Sequence, residues 1–269
     1  MKTIHYLYAT CLLFALMPAF SSCTLDADDD LANLESNVGA GTFSTLGTVI
    51  MDNQDITIES DLYGNLIPEN PEIISSIDAD STGQRILAGF IFLNNPTDQS
   101  SLEGHYIRIV DLLYKVNTLP ASDLRTLPED NFGNDPLQIT DVSISKKHLN
   151  IQYVYEGSKH IQHGVNLVLT NQSELNANGL LPVEFRHDAY NDSPDQSMES
   201  IVSFTLESIA ECQSADFKGF RIIYNSGANT KAEWKVLKTS VSNQNSVVGT
   251  MKSSEEIGNG HSLLTCELQ

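Results

Sequence analysis

From residue 43 onward the chain is written in short alternating runs. TLGTVIMD (45–52) and DITIES (55–60) are β-branched and alternate apolar with polar positions, with the turn-prone Asn53-Gln54 between them. LYGNLIPENPEI (62–73) is punctuated by Gly, Pro and Asn and reads as a connection. QRILAGFIFL (84–93) and HYIRIVDLLYKV (105–116) are the next strong runs, separated by NNPTDQSSLEG, which is turn chemistry throughout. Successive side chains on a strand leave opposite faces, so a period of two marks half-buried β structure. Several short strands within about ninety residues predict a small barrel over 43–133, five-stranded and OB-like.

The stretch LPASDLRTLPEDNFGNDP (119–136) holds three prolines, several acids and a glycine, and marks the boundary between two domains. Its ASDLRTL has room for one short helical turn. Beyond it the alternation is cleaner. In HLNIQYVYE (148–156), Leu149, Ile151, Tyr153 and Tyr155 take one face, while Asn150, Gln152 and Glu156 take the other. ITDVSIS, HLNIQYVYE, IQHGVNLVLT, LPVEFRHD, SIVSFTLES, FRIIYNS and EWKVLK make about seven strands. They predict an immunoglobulin-like antiparallel β-sandwich over 134–238, so the fold class is all-β. Residues 239–269 are rich in Ser, Asn and Gly without a sustained period, which predicts a poorly ordered tail.

The N-terminus follows different rules. Lys2 is the only Lys, Arg, Asp or Glu before residue 23, and Leu7 to Ala19 is almost wholly apolar. A positive start, a short apolar run and small residues before a cut are the parts of a secretory signal, here residues 1–22. The run is too short to span a bilayer of roughly 30 Å as a helix. Ser21-Ser22-Cys23 resembles the lipobox of bacterial lipoproteins, which implies a diacylglycerol thioether and an N-acyl lipid (palmitate) at Cys23 and no other cofactor. Asp26, Asp28, Asp29 and Asp30 follow at once, within an acidic tether of residues 23–42. They lack the glycine that an EF-hand loop needs after alternating aspartates, so no metal is expected there. Acids behind a lipidated cysteine resemble the signal that sends lipoproteins of Bacteroidota to the outer face of the outer membrane.

Charge narrows the partners. Lys and Arg number 15 against 35 Asp and Glu, for a formal charge of −20. Between Phe43 and Lys115 the only Lys or Arg residues are Arg85, Arg108 and Lys115. An OB barrel that holds a single strand needs a basic groove with stacking aromatics, so nucleic acid is excluded as a partner. A protein or glycan partner is expected instead, besides the membrane reached through the lipid. Cys11 leaves with the signal and Cys23 takes the lipid, which makes Cys212 and Cys266 a possible disulfide in an oxidising compartment.

Candidate chemistry gathers in the second domain. His160-x-x-His163 lacks the glutamate and helix of an HExxH zinc site. On a strand, residues three apart face opposite ways, so these two rings should diverge into solvent at a hairpin end. His187, Asp188 and Asp192, within EFRHDAYNDSPD (184–195), could bind a ligand or an ion, although Asx turns account for the same string. No G-x-S-x-G elbow is present, and no cysteine beyond Cys23 has an activating neighbour. Glu184 and Asp188 are the carboxylates an envelope-glycan hydrolase would use, but nothing in the sequence sets their geometry.

The lipobox with its acids, then LGTVI, GQRILAGFIFL, YIRIVDLLYKV, LNIQYVYEGSKHIQHGVNLVL, VEFRHDAYND and IVSFTLES, resembles the NigD-like family of Bacteroidota lipoproteins. The resemblance covers residues 43–237 and rests on pattern. It implies an N-terminal OB domain and a C-terminal β-sandwich, and it offers no established catalytic residues to carry over. The family name comes from a bacteriocin-associated gene whose product was supposed to give immunity. The expected function is therefore that of a non-catalytic, surface-exposed outer-membrane lipoprotein acting as a binding or accessory module. The alternative is an immunity or inhibitor lipoprotein that captures a basic toxin.

Overall fold

A computed structural model of the chain describes residues 42–238, apart from residue 54 and the segments 95–103, 127–131 and 228–229. Cys23, the aspartates at 26 and 28–30, Cys266 and the tail all lie outside the described residues. Thirteen strands, one short α-helix and two short 3-10 helices are described, and they build the expected all-β architecture of a barrel followed by a sandwich.

The barrel uses β1 (Phe43–Asp52), β2 (Asp55–Ser60), β3 (Gly64–Pro68), β4 (Arg85–Phe92) and β5 (His105–Leu119), with helix α1 (Glu72–Ser75) between β3 and β4. β1 to β3 form a meander, β1 pairs with β4, β4 with β5, and β5 closes the circuit by running parallel to β3. This is a five-stranded OB circuit. The stretch read from sequence as a connection supplies both β3 and α1. Its Gly and Pro are the ends of a five-residue strand, too short for alternation to show. β1 must serve two neighbours, and Gly47 is the pivot, paired with Ser60 on one side and Ile86 on the other. A Cβ there would lie 2.3 Å from a methyl of Ile58, so only glycine lets the strands approach at this point. Phe43, Tyr63, Phe90 and Phe92 pack together at one end of the core, edge to face except for the stacked pair Phe43–Phe90, and α1 contributes Ile74, fully buried.

The sandwich is a second core between two layers. One layer holds β7 (Gln138–Ile144), β8 (His148–Gly157) and β11 (Gln196–Thr205). The other holds β13 (Lys231–Leu237), β12 (Gly219–Asn225), β10 (Leu180–Asp188), β9 (Gly164–Leu169) and β6 (Ser122–Asp123), in that order. All seven strands expected from the alternation are present, and Ser122–Asp123 adds β6 beside β9. Tyr153, Phe185 and Phe204 meet between the layers. Besides β3–β5, three pairings are parallel, β5–β11, β6–β9 and β10–β12. β10 and β12 run parallel because β11, which lies between them in sequence, crosses to the other layer.

β5 joins the halves. Its C-terminal residues Asn117–Leu119 pair with Val202–Phe204 of β11, so one eight-stranded sheet runs from the barrel into the sandwich. The outer face of β8 and β11 is therefore covered. Asn150 and Ser203, which alternation assigns to that outer face, are 2% and 0% exposed. Buried polar groups must be satisfied. Ser203 Oγ donates to Asn150 Oδ1 at 2.8 Å, and Asn150 Nδ2 donates to Asp61 Oδ2 at 3.0 Å. Arg85, also fully buried, donates to both Asp61 oxygens at 2.8 and 2.6 Å, to Thr48 and to Asn150 Oδ1. Its Nε has no partner among the described residues. His148 is buried beside this group, and burial, reinforced by the Arg85 charge, pushes it down to about 4.

Two outcomes follow. Asp61→Ala strands a buried guanidinium and should cost about 3–5 kcal/mol in urea unfolding. Combining it with Arg85→Met should recover part of that loss. Between pH about 6.5 and about 4 the unfolded chain protonates His148 while the folded chain does not, so stability is full above that window and falls within it. The loss reaches roughly 3 kcal/mol at most. His148→Gln should flatten this part of the stability profile, measured as wild type minus variant across pH 7 to 4.

Candidate functional site

The polar residues singled out in the second domain meet at one end of the sandwich, between the β8–β9 loop and the β10–β11 loop. β10 alternates inward Val183, Phe185 and His187 with outward Glu184, Arg186 and Asp188. His187 is 1% exposed and lies opposite Val165 of β9. Asp188 faces away and accepts the backbone N–H of Tyr190 at 2.8 Å, an Asx turn. His187 and Asp192 are brought together, but only through a third residue, and Asp188 stands apart from them.

That third residue is His163. β9 starts at Gly164, so His163 lies in the loop before it, and the period-of-two argument that sends its ring into solvent does not apply. Its side chain is 2% exposed, whereas His160 is exposed. His163 Nδ1 meets His187 Nε2 at 2.8 Å, and His163 Nε2 meets Asp192 Oδ2 at 3.0 Å. His187 Nδ1 reaches the Pro136 carbonyl at 3.2 Å. The Tyr155 ring lies over both imidazoles, with centroids 4.6 and 5.2 Å away. Glycines make the space. A Cβ on Gly157 would lie 2.8 Å from the His163 ring and 3.2 Å from Asp192 Oδ2. Gly157 and Gly164, which bracket EGSKHIQHG, were the available sequence signal that something packs onto this loop.

Asp192 anchors the arrangement. It accepts the Ser158 backbone N–H, the Ser158 hydroxyl at 2.7 Å and the Ser193 backbone N–H at 2.8 Å, besides His163. These donors, the Ser158 amide first, hold its carboxyl far below the usual carboxylate range. Burial, then the neighbouring His163, holds His187 below the ordinary histidine value. Ser158 donates to the acid and not to a histidine, so no Ser-His-Asp relay is formed. Glu184, the other candidate acid, is ion-paired with Arg186 at 2.6 Å. Among the described residues no three His, Cys, Asp or Glu side chains are set to hold a metal. Cys212 is buried, and burial pushes its thiol up to about 12.

The loop that delivers Asp192 is strained. Tyr190 and Asn191 have φ of 49° and 62°, and the Asp192 N–H returns to the Ala189 carbonyl at 2.9 Å, closing a type I′ turn with no glycine in it. A left-handed conformation costs a residue such as tyrosine roughly 1–2 kcal/mol. Asp135 and Asp188 hold the turn by accepting the N–H groups of Ala189 and Tyr190. The result presents the Tyr190 ring, 57% of the residue exposed.

Residues 120–236 match the family model of the NigD-like C-terminal beta sandwich domain. No curated protein matches the chain. Among solved structures, a protein of unknown function from Bacteroides vulgatus is similar with TM-score 0.58 at 18% identity, over 75% of this chain and 92% of that one. A NigD-like immunity protein from Bacteroides caccae is similar with TM-score 0.52 at 16% identity, over 73% and 97%. A provisionally named lipoprotein from Bacteroides fragilis is similar with TM-score 0.53 at 11% identity, over 74% and 99%. At these identities the likeness is one of fold, and it extends through barrel and sandwich alike. Over residues 120–236, then, the chain is similar to the NigD-like C-terminal beta sandwich domain.

Proposed function

We propose that the protein is a non-catalytic binding module, carried on the outer membrane by lipid at Cys23 and turned outward by Asp26, Asp28, Asp29 and Asp30. It takes no cofactor besides that lipid, and its partner is a protein or glycan. The observation that carries this reading is Tyr190. An exposed aromatic ring in a left-handed conformation, on a turn tied down by Asp135, Asp188 and Asp192, is a costly arrangement that stability alone does not favour. Rigid, amphipathic tyrosine rings supply contact area at low entropic cost and recur as anchors of interfaces. The histidines and acid beneath it are engaged with one another, which suits a platform better than a reaction centre.

A more specific reading is capture of a basic toxin. The charge of −20 would speed encounter with such a partner, and a similar structure carries the name NigD-like immunity protein. On this reading binding weakens steeply with salt, and loss of the gene sensitises cells to a neighbouring toxin.

Three measurements test the proposal. Tyr190→Gly suits the left-handed backbone and should leave stability within about 1 kcal/mol, yet reduce partner recovery from envelope extract roughly tenfold. Undiminished recovery would place the contact elsewhere. Cys23→Ala should move the protein out of the membrane fraction or leave its precursor uncut. Replacing the four aspartates by asparagine should abolish cleavage by protease added to intact cells, with membrane association unchanged.

A further inference from the structure

The imidazole pair between the β8–β9 and β10–β11 loops makes three polar contacts, and each needs a hydrogen. The Pro136 carbonyl can only accept, so His187 Nδ1 carries a hydrogen. Asp192 is ionised and accepts from His163 Nε2, so that nitrogen carries one too. The 2.8 Å contact between His163 Nδ1 and His187 Nε2 needs a third. Two neutral imidazoles own only two hydrogens between them.

We infer that His163 and His187 form a one-proton clamp, in which a single added proton, shared across their Nδ1–Nε2 contact, locks the β8–β9 loop against the β10–β11 loop. His163 faces the Asp192 carboxylate, while His187 is sunk in the sandwich core. The charged groups around the pair come from every neighbouring element. Asp192 lies on the β10–β11 loop, and Asp135 on the segment before β7 holds the Ala189 N–H of that same loop. Tyr155 of β8 covers both rings, and the Tyr190 hydroxyl sits where a Cβ on Gly164 would fall, 2.7 Å away. Asp192 and Asp135 bear charge opposite to the pair, and Asp188 follows His187 at the end of β10.

When the proton leaves, two ring lone pairs face each other at 2.8 Å, or one ring gives up its bond to Pro136 or Asp192. Either way a link between the loops is lost. The closed form binds one proton more than the open form, so acid favours closure and rising pH favours opening. Opening frees the turn that carries Tyr190, and with it Ile161 of the facing loop, 39% exposed. The clamp concerns the protonation of the loops themselves and holds whatever partner they meet.

Hydrogen exchange on the full chain in detergent reads this directly. Corrected for intrinsic rates, protection of segments 158–163 and 189–195 should fall roughly tenfold or more, in both segments together, between pH 5.5 and 8.5. Segments in β1 and β4 should not change over the same range. His187→Gln should remove the pH dependence from both loops, and Asp192→Asn should shift it to lower pH. The nitrogen resonances of the two rings in the wild type should move with one common midpoint. Protection that is flat with pH, a pH dependence that survives His187→Gln, or two separate midpoints would each overturn the clamp. The ring resonances need no variant, so the inference stays open to refutation if His187→Gln fails to fold.

Discussion

Arg85 sits without solvent exposure between the barrel and the sandwich, and the two halves of the molecule are arranged around satisfying it. A buried guanidinium is tolerated only where a carboxylate and further acceptors surround it. Asp61 at the end of β2, Thr48 on β1 and Asn150 on β8 supply them, so barrel and sandwich residues share one polar cluster. The β-sheet running from β5 into β11 sets the direction of the halves, and the Arg85 group sets their register face to face.

The strand pattern made the architecture legible because each half-buried strand shows its core face as an alternation, and that signal survives wherever the other face meets water. β8 and β11 show both the success and its limit. Leu149, Ile151, Val202 and Phe204 face the core as their spacing requires. Asn150 and Ser203 look like solvent positions by the same rule, yet they are buried against the barrel. Alternation records which residues share a face. It does not record what covers that face, and a polar residue that pairs with another buried polar group leaves no mark in a single sequence. β3 was hidden for a different reason, since five residues ending in proline carry too little periodicity to separate a strand from a connection.

The loop site was legible in part, and its failure is instructive. EGSKHIQHG and HDAYND each stood out by composition, but they lie far apart in sequence, and only the β9–β10 hairpin brings them together. The expectation of diverging histidines assumed that the strand began at Ile161. It begins at Gly164, and the three-residue difference turns a solvent-facing ring into a buried one. Asp188 and Asp192 carry the same charge and sit four residues apart, yet a tight turn between them gives one an Asx-turn role and the other an anchor role. Turn geometry, with two residues at positive φ and no glycine to announce it, is the step that single-sequence reasoning lacks.

Two of the polar clusters among the described residues obey one rule with different consequences. At the barrel junction the charges belong to Arg85 and Asp61, held as an ion pair at 2.6 Å. Between the loops the positive charge belongs to an imidazole pair, the one side-chain type that changes charge in this range. The backbone strain at Tyr190 is also found there and not at the junction. A strained turn needs a restraint to persist, and here one strand of that restraint is a proton. The molecule thus places an arginine–aspartate pair where barrel and sandwich meet, and an imidazole pair at the loop that carries its exposed aromatic ring.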